Sequence, residues 1–214
     1  MRVKICGMMR SKDVSAALDN GADAVGFVVR SPSSPRNLSL GQARKLMKPV
    51  PIFATKVAVT SAQDRQSILK ICAKLKPDAL QLHQHQPELV RTIRRTRPET
   101  ELILATAIRD RSSVTRAKRT SSYSDAVLAD TPSATGMGGT GRTHDWKLTA
   151  SLRNRIYPHP LILAGGLTPG NVRLAIRKVR PFAVDVSSGV EKVVGVKDHD
   201  KIREFIINAK GSVT

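Results

Sequence analysis

Eight short apolar runs, each followed by a segment of helical periodicity, recur from one end of the chain to the other. That alternation restricts the fold more than any other feature. The pattern predicts strands over Val3–Cys6, Ala24–Val28, Ala54–Val59, Ala79–Leu82, Leu102–Ala105, Ala126–Asp130, Leu161–Ala164 and Ala183–Val186. Helix boundaries are marked between them. Ser39-Leu40-Gly41-Gln42 and Ser61-Ala62-Gln63-Asp64 resemble capping boxes, Thr168-Pro169 reads as a cap followed by proline at the first helical position, and Gly21 behind Asn20 reads as a helix stop. Strand–helix alternation implies parallel pairing with right-handed crossovers, and eight such units are what closure into a (β/α)8 TIM barrel needs. An open doubly wound sheet is the alternative. At 214 residues and 23.3 kDa, with no composition shift marking a linker, the chain reads as a single domain spanning residues 1–214.

Composition narrows the setting. No apolar stretch has membrane-spanning length and no cleavable leader is recognisable, so a cytoplasmic protein with no membrane partner is expected. Cys6 and Cys72 do not make a disulfide framework; Cys72 lies among Ile68, Leu69, Ile71 and Leu75 at helical spacing and reads as a core residue. Lys and Arg total 36 against 17 Asp and Glu, a net charge of +19 that would attract phosphorylated metabolites, nucleic acid or anionic surfaces. The densest basic run, Arg91 to Arg97, reads as the solvated face of an amphipathic helix. Aromatic residues are only 3% of the chain, which leaves few rings for stacking unpaired bases and argues against a single-strand binder. Weak, non-specific nucleic-acid binding is all that this charge predicts.

Two strand ends carry reactive groups: Cys6 closes the first run and Asp130 the sixth. In a β/α barrel the carboxyl ends of the strands converge on the active face, so a thiol and a carboxyl there can serve as base and acid. Each also has a plain structural reading, Cys6 as a small buried residue and Asp130 as a cap for the following turn. Three loops after strands stand out. Arg30 to Leu38 carries Arg36 in a proline-stiffened turn; Thr131 to Asp145 contains Gly136, Gly138, Gly139 and Gly141 and reads as a closing lid. Gly165-Gly166 and Ser187-Ser188-Gly189 follow strands seven and eight, where barrels commonly hold phosphate on backbone N–H groups.

Together these segments resemble the phosphoribosylanthranilate isomerase family. The resemblance runs through VKICGM (3–8), GADAVGFV (21–28), SPRNLS (34–39), LQLH (80–83), GGTGRTHDW (138–146), LAGGLTPGNV (163–172), PFAVDVSSGVE (181–191) and KDHDKI (197–202). It implies a single-domain barrel that needs no metal or organic cofactor. The implied reaction, in tryptophan biosynthesis, is the Amadori rearrangement of N-(5-phosphoribosyl)anthranilate to 1-(2-carboxyphenylamino)-1-deoxyribulose 5-phosphate. By that resemblance Asp130 is the acid that protonates the furanose ring oxygen and Cys6 the base that takes the C2′ proton. The chemistry asks for a raised carboxyl pKa and a thiol that ionises, the latter helped by basic surroundings.

The resemblance also places Arg36 on the anthranilate carboxylate and makes Gly165, Gly166, Ser187, Ser188 and Gly189 the phosphate cradle. Asp185 either hydrogen-bonds sugar hydroxyls or orders the loop after the last strand, and His83 either touches substrate or bonds within the barrel mouth. Four departures from the family pattern are visible: Gln84 after LQLH, Val57-Ala58-Val59-Thr60 in the third strand, His144 in place of phenylalanine, and Val194 in place of proline. Two other readings remain. A broader sugar-phosphate isomerase also acting on the histidine-pathway aminoaldose would share the reaction type, although such enzymes work with two opposed aspartates and here Cys6 stands in one place. A non-catalytic basic binding protein is suggested by charge alone. The oligomeric state is expected to be monomer or homodimer.

Overall fold

The computed structural model describes residues 1–83, 87–132 and 143–211. Eight parallel strands close into a barrel in chain order: β1 (Arg2–Ile5), β2 (Ala24–Val28), β3 (Thr55–Thr60), β4 (Ala79–His83), β5 (Glu101–Ala107), β6 (Ala126–Asp130), β7 (Leu161–Leu163) and β8 (Ala183–Val186). Helices α1 (Ser11–Asp19), α2 (Leu40–Met47), α3 (Arg65–Leu75), α4 (Pro87–Thr96), α5 (Arg111–Ser121), α6 (Trp146–Ile156), α7 (Val172–Val179) and α8 (His199–Lys210) follow the strands in turn. The closed barrel removes the open-sheet alternative. β8 pairs with β1 with Lys4 opposite Asp185, and that pairing completes the closure.

The two-residue period of the strands sorts side chains into two cores. Val3 and Ile5, Val25 and Phe27, Leu80 and Leu82, and Val127 and Ala129 point outward and pack under the helices. Val57, Val59, Ala79, Ile103, Ala126, Leu128, Ile162 and Ala183 fill the barrel interior. Parity therefore decides which polar residues enter the site. Lys4 and Cys6, Gln81 and His83, Asp130, and Asp185 occupy the inward positions of their strands.

Helix starts agree with the sequence pattern in part. Ser39 and Gln42 form a reciprocal capping box on α2. Ahead of α3 the expected box at Ser61 is absent, and Asp64 caps instead by accepting from the Ser67 N–H at 2.7 Å. A carboxylate one turn closer to the helix outcompetes the serine. α7 begins at Val172 and not at Thr168-Pro169: Asn171 folds back, accepting from the Thr168 N–H at 2.8 Å and donating to the Gly166 carbonyl at 2.9 Å. Cys72 is buried in α3 as expected. In the basic run, Val90 and Ile93 of α4 face the core while Arg91 pairs with Glu88 and Arg94 with Asp125.

Candidate functional site

Strand ends and the loops behind them converge on one cleft, lined among others by Cys6, Arg36, Gln81, His83, Asp130, Gly165, Gly166, Asp185, Ser187, Ser188 and Gly189. A separate cleft of about 370 Å³ opens beside β5 between α4 and α5, but its walls hold neither Cys6 nor any carboxylate. Asp130 reaches the site from the end of β6 and accepts the Thr131 N–H at 2.7 Å. Burial raises its carboxyl to about 6, against the pull of that hydrogen bond. A carboxyl held there is partly protonated near neutrality, as an acid requires.

Cys6 lies at the other reactive strand end, with its N–H bound to the Val186 carbonyl at 2.8 Å. Burial pushes its thiol above the ordinary value, while Lys4 and Lys197 pull it down without cancelling that rise. The expected help from basic surroundings is therefore present, but desolvation outweighs it. The ammonium of Lys4 meets Asp185 at 2.9 Å, with both side chains buried. Burial opposes the charge on Lys4, yet this pairing holds its pKa above the usual lysine value.

A second buried network surrounds Arg36. Its Nε donates to Glu191 Oε1 at 2.7 Å and its Nη2 to Glu191 Oε2 at 2.6 Å. Lys197 Nζ reaches the same carboxylate at 3.0 Å and the Ser187 carbonyl at 3.0 Å. Burial works against the Glu191 charge, but these contacts keep its carboxyl below the usual range. Lys4, Arg36 and Lys197 stand against Asp185, Glu191 and, above about pH 6, ionised Asp130, so the cations are in excess only while Asp130 is protonated.

The glycines hold loops at backbone contact distance. A Cβ on Gly165, whose φ is +83°, would stand 2.4 Å from the Thr131 nitrogen and 2.8 Å from Asp130 Oδ1; one on Gly189 would stand 1.9 Å from the Leu167 carbonyl oxygen. Side chains at these positions would drive the acid's loop and the two candidate anion loops apart. Among the described residues, the N–H groups of Gly165 and Gly166 meet no acceptor, and Asn171 fixes the Gly166 carbonyl behind them. Backbone N–H groups left in this way are able to receive an anion.

The family model for N-(5'phosphoribosyl)anthranilate (PRA) isomerase matches residues 3–208. The chain belongs to the phosphoribosylanthranilate isomerase family. It is 46% identical over 206 residues to the N-(5'-phosphoribosyl)anthranilate isomerase of Methanothrix thermoacetophila, covering 96% of each chain. The crystal structure of the Thermotoga maritima enzyme superposes with a TM-score of 0.87 at 40% identity over 99% of both chains. A phosphoribosyl anthranilate isomerase in complex with reduced 1-(o-carboxyphenylamino)-1-deoxyribulose 5-phosphate gives 0.85 at 39% identity, again over 99% of both.

Against the residues that the family pattern suggested, the structure brings all ten into the cleft but changes the surroundings of three. Arg36 already holds Glu191 along its Nε edge, so only its Nη1–Nη2 edge is left for a substrate carboxylate. Asp185 binds Lys4 through Oδ1, so a purely sugar-binding role does not describe it. His83 Nε2 lies 3.1 Å from Gln81 Nε2, a contact within the barrel mouth. Among the described residues no group of three or more His, Cys, Asp or Glu is placed to hold a metal ion.

Sequence reading passed over Lys4, Gln81, Glu191 and Lys197. The signal for Lys4 and Gln81 was their parity, two residues before Cys6 and His83 on the same strand face. Glu191 and Lys197 lie in a hairpin of β9 (Glu191–Val193) and β10 (Val196–Lys197), whose pairing no period in the sequence announced. Of the four departures, His144 bridges Thr131 Oγ1 at 3.0 Å and Thr149 Oγ1 at 2.6 Å, anchoring the segment after Asp130 to α6. Thr60 accepts the Ala62 N–H at 3.1 Å, and Val194 is exposed in the hairpin. Gln84 and the glycines Gly136, Gly138, Gly139 and Gly141 of the expected lid lie outside the described residues.

Proposed function

We propose that Asp130 and Cys6 are the acid and base of this chain's isomerase reaction, the Amadori step of tryptophan biosynthesis in which phosphoribosylanthranilate becomes the carboxyphenylamino-deoxyribulose phosphate. The observation that carries the assignment is a carboxyl raised to about 6 lining the same cleft as a strand-end thiol and two glycine-bearing loops. Protonated Asp130 gives its proton to the furanose ring oxygen as the C1′–O bond breaks, leaving a protonated Schiff base. The Cys6 thiolate takes the proton from C2′; that C–H pair becomes the C1′=C2′ double bond, and the iminium electrons return to nitrogen. The enolamine then tautomerises to the ketose. Sulfur ends protonated and the carboxyl ionised, so one proton returns to Asp130 before the next turnover.

The substrate's two anionic ends divide between two groups of residues. The free Nη1–Nη2 edge of Arg36 takes the anthranilate carboxylate bidentately. Gly165, Gly166, Ser187, Ser188 and Gly189 take the phosphate, with Asp185 and His83 nearer the sugar. Neither a metal nor an organic cofactor enters these steps. The enzyme works in the cytoplasm on a small phosphorylated substrate, and its excess charge gives no more than weak, salt-sensitive nucleic-acid binding. Assays of the purified protein with phosphoribosylanthranilate and with the histidine-pathway aminoaldose test the substrate range. Turnover of the first alone is expected; comparable turnover of both would move the assignment to the broader isomerase.

A homodimer is the oligomeric state that the surface supports. Ile52 and Phe53, 90% and 96% exposed, project from the loop between α2 and β3. Exposed Tyr157 and Phe182 precede β7 and β8 on this same amino-terminal face, opposite the cleft. Large apolar side chains gathered on one face suit a partner, and a second copy can cover them without blocking the site. The phosphoribosylantranilate isomerase of Thermotoga maritima, whose engineered monomers superpose on this chain with a TM-score of 0.84 at 37% identity over 99% of each chain, is itself dimeric.

A further inference from the structure

Among the described residues, the inward positions of β1 and β8 carry a buried ion pair. Lys4 and Asp185 face each other across β1 and β8, their side chains 4% and 8% exposed. Burying such a pair costs several kcal/mol in desolvation, and apolar residues of similar size commonly serve stability as well or better. Lys4 is buried one step beneath Cys6 on the same face of β1, away from the cleft walls. Its neighbour is the sulfur. Both Lys4 Nζ and Cys6 Sγ come within about 3 Å of a single point above Gly26, at 3.1 and 2.8 Å, where any other residue would put its Cβ. Gly26 thus leaves open the space that the ammonium and the thiol share.

Resting on the reading of Cys6 as the base, we propose that Lys4 is the fixed counter-ion of the Cys6 thiolate: its ammonium, anchored by Asp185, stabilises the sulfur anion that removes the C2′ proton. The ammonium keeps its own proton throughout. When sulfur is a thiol, Lys4 is held by its ion pair with Asp185; when sulfur is ionised, Lys4 neutralises it in surroundings where an unpaired anion would be costly. The other charged groups acting on this sulfur are Lys197 of β10 and Arg36 of the loop after β2, with Glu191 bound to both. Asp130 of β6 interacts with Lys4 and Asp185 from across the site. Of the favourable contributions to the thiolate, that of Lys4 is the largest, and it exceeds the opposing contribution of Asp185.

The test is the pH dependence of Cys6 alkylation by iodoacetamide in the full-length protein, with Cys6→Ser subtracting any reaction at Cys72. Lys4→Gln is expected to raise the alkylation midpoint by about one pH unit or more and to lower kcat about tenfold or more, with KM changed much less. Lys4→Arg, which restores the charge, is expected to recover most of both. Should Lys4→Gln fail to fold, Lys4→Met combined with Asp185→Asn removes the pair as a neutral unit. The midpoint should still rise there, because the lysine outweighs the aspartate. A midpoint that stays or falls in folded Lys4→Gln, or in the folded Lys4→Met and Asp185→Asn double variant, overturns the counter-ion role even if Cys6→Ser is inactive. Undiminished turnover of Cys6→Ser instead overturns the base assignment on which the role rests, and the two failures are read from different variants.

Discussion

Glu191 holds Arg36 at two points, Oε1 to Nε at 2.7 Å and Oε2 to Nη2 at 2.6 Å, and so turns the guanidinium's remaining edge toward whatever enters the cleft. Arg36→Ala should weaken anthranilate-bearing ligands far more than a plain pentose phosphate, because a bidentate contact is lost only where the carboxylate exists. Glu191→Gln should give a smaller loss with the same preference, since an amide can receive one of the two contacts. Equilibrium binding of both ligand classes to both variants checks this. Equal losses for the two ligands would mean that Arg36 acts through overall charge or packing.

Asp130 carries a stability cost whose sign follows from its pKa. Its folded carboxyl, at about 6, is raised above the unfolded value, so its favourable contribution is complete below about pH 4 and is lost as pH rises through 6. Asp130→Asn, neutral throughout, should therefore be more stable than the natural protein near pH 8 by about 2–3 kcal/mol, and no more stable near pH 4. Denaturant unfolding at the two pH values measures the difference. A variant equally stable or weaker near pH 8 would show that the carboxylate is solvated or paired in the folded state.

His144 works in the opposite direction. Burial lowers its pKa to about 4, so the unfolded chain takes up the proton first and the folded state weakens as pH falls from about 6.5 to 4. His144→Phe should remove that part of the acid sensitivity and, by losing the contacts to Thr131 and Thr149, lower stability at neutral pH by about 1 kcal/mol. Unfolding curves across this range decide the matter; an unchanged acid slope would refute it.

Charging the exposed apolar tip should separate the proposed dimer. Phe53→Asp together with Ile52→Asp is expected to give monomers with turnover close to that of the natural protein, because the loop is remote from the cleft. Sedimentation velocity of both proteins checks it, and dimers persisting in the double variant would move the interface elsewhere.

How much of this was legible in the sequence depended on whether the signal was local. The strands carry their own period, so β2, β6 and β8 begin and end at the residues the pattern suggested; Cys6 and Asp130 were visible because they end such runs. Lys4 was legible by parity, but a lysine near the start of a chain is usually solvated, and only closure of β8 onto β1 brings Asp185 to it. Glu191 reaches Arg36 across 155 positions of sequence, a contact that no local pattern encodes. The start of α7 was misread for a related reason: Thr168-Pro169 has local cap chemistry, while Asn171 is recruited by the Gly166 carbonyl.

The most direct test of the acid and base assignment is the steady-state turnover of phosphoribosylanthranilate, followed by loss of its anthranilate fluorescence, in the natural protein, Cys6→Ser and Asp130→Asn. Each substitution is expected to lower kcat by at least about a hundredfold with the fold intact, the least that one general acid or base contributes. Turnover near that of the natural protein in either folded variant would contradict the assignment and remove that residue from the mechanism.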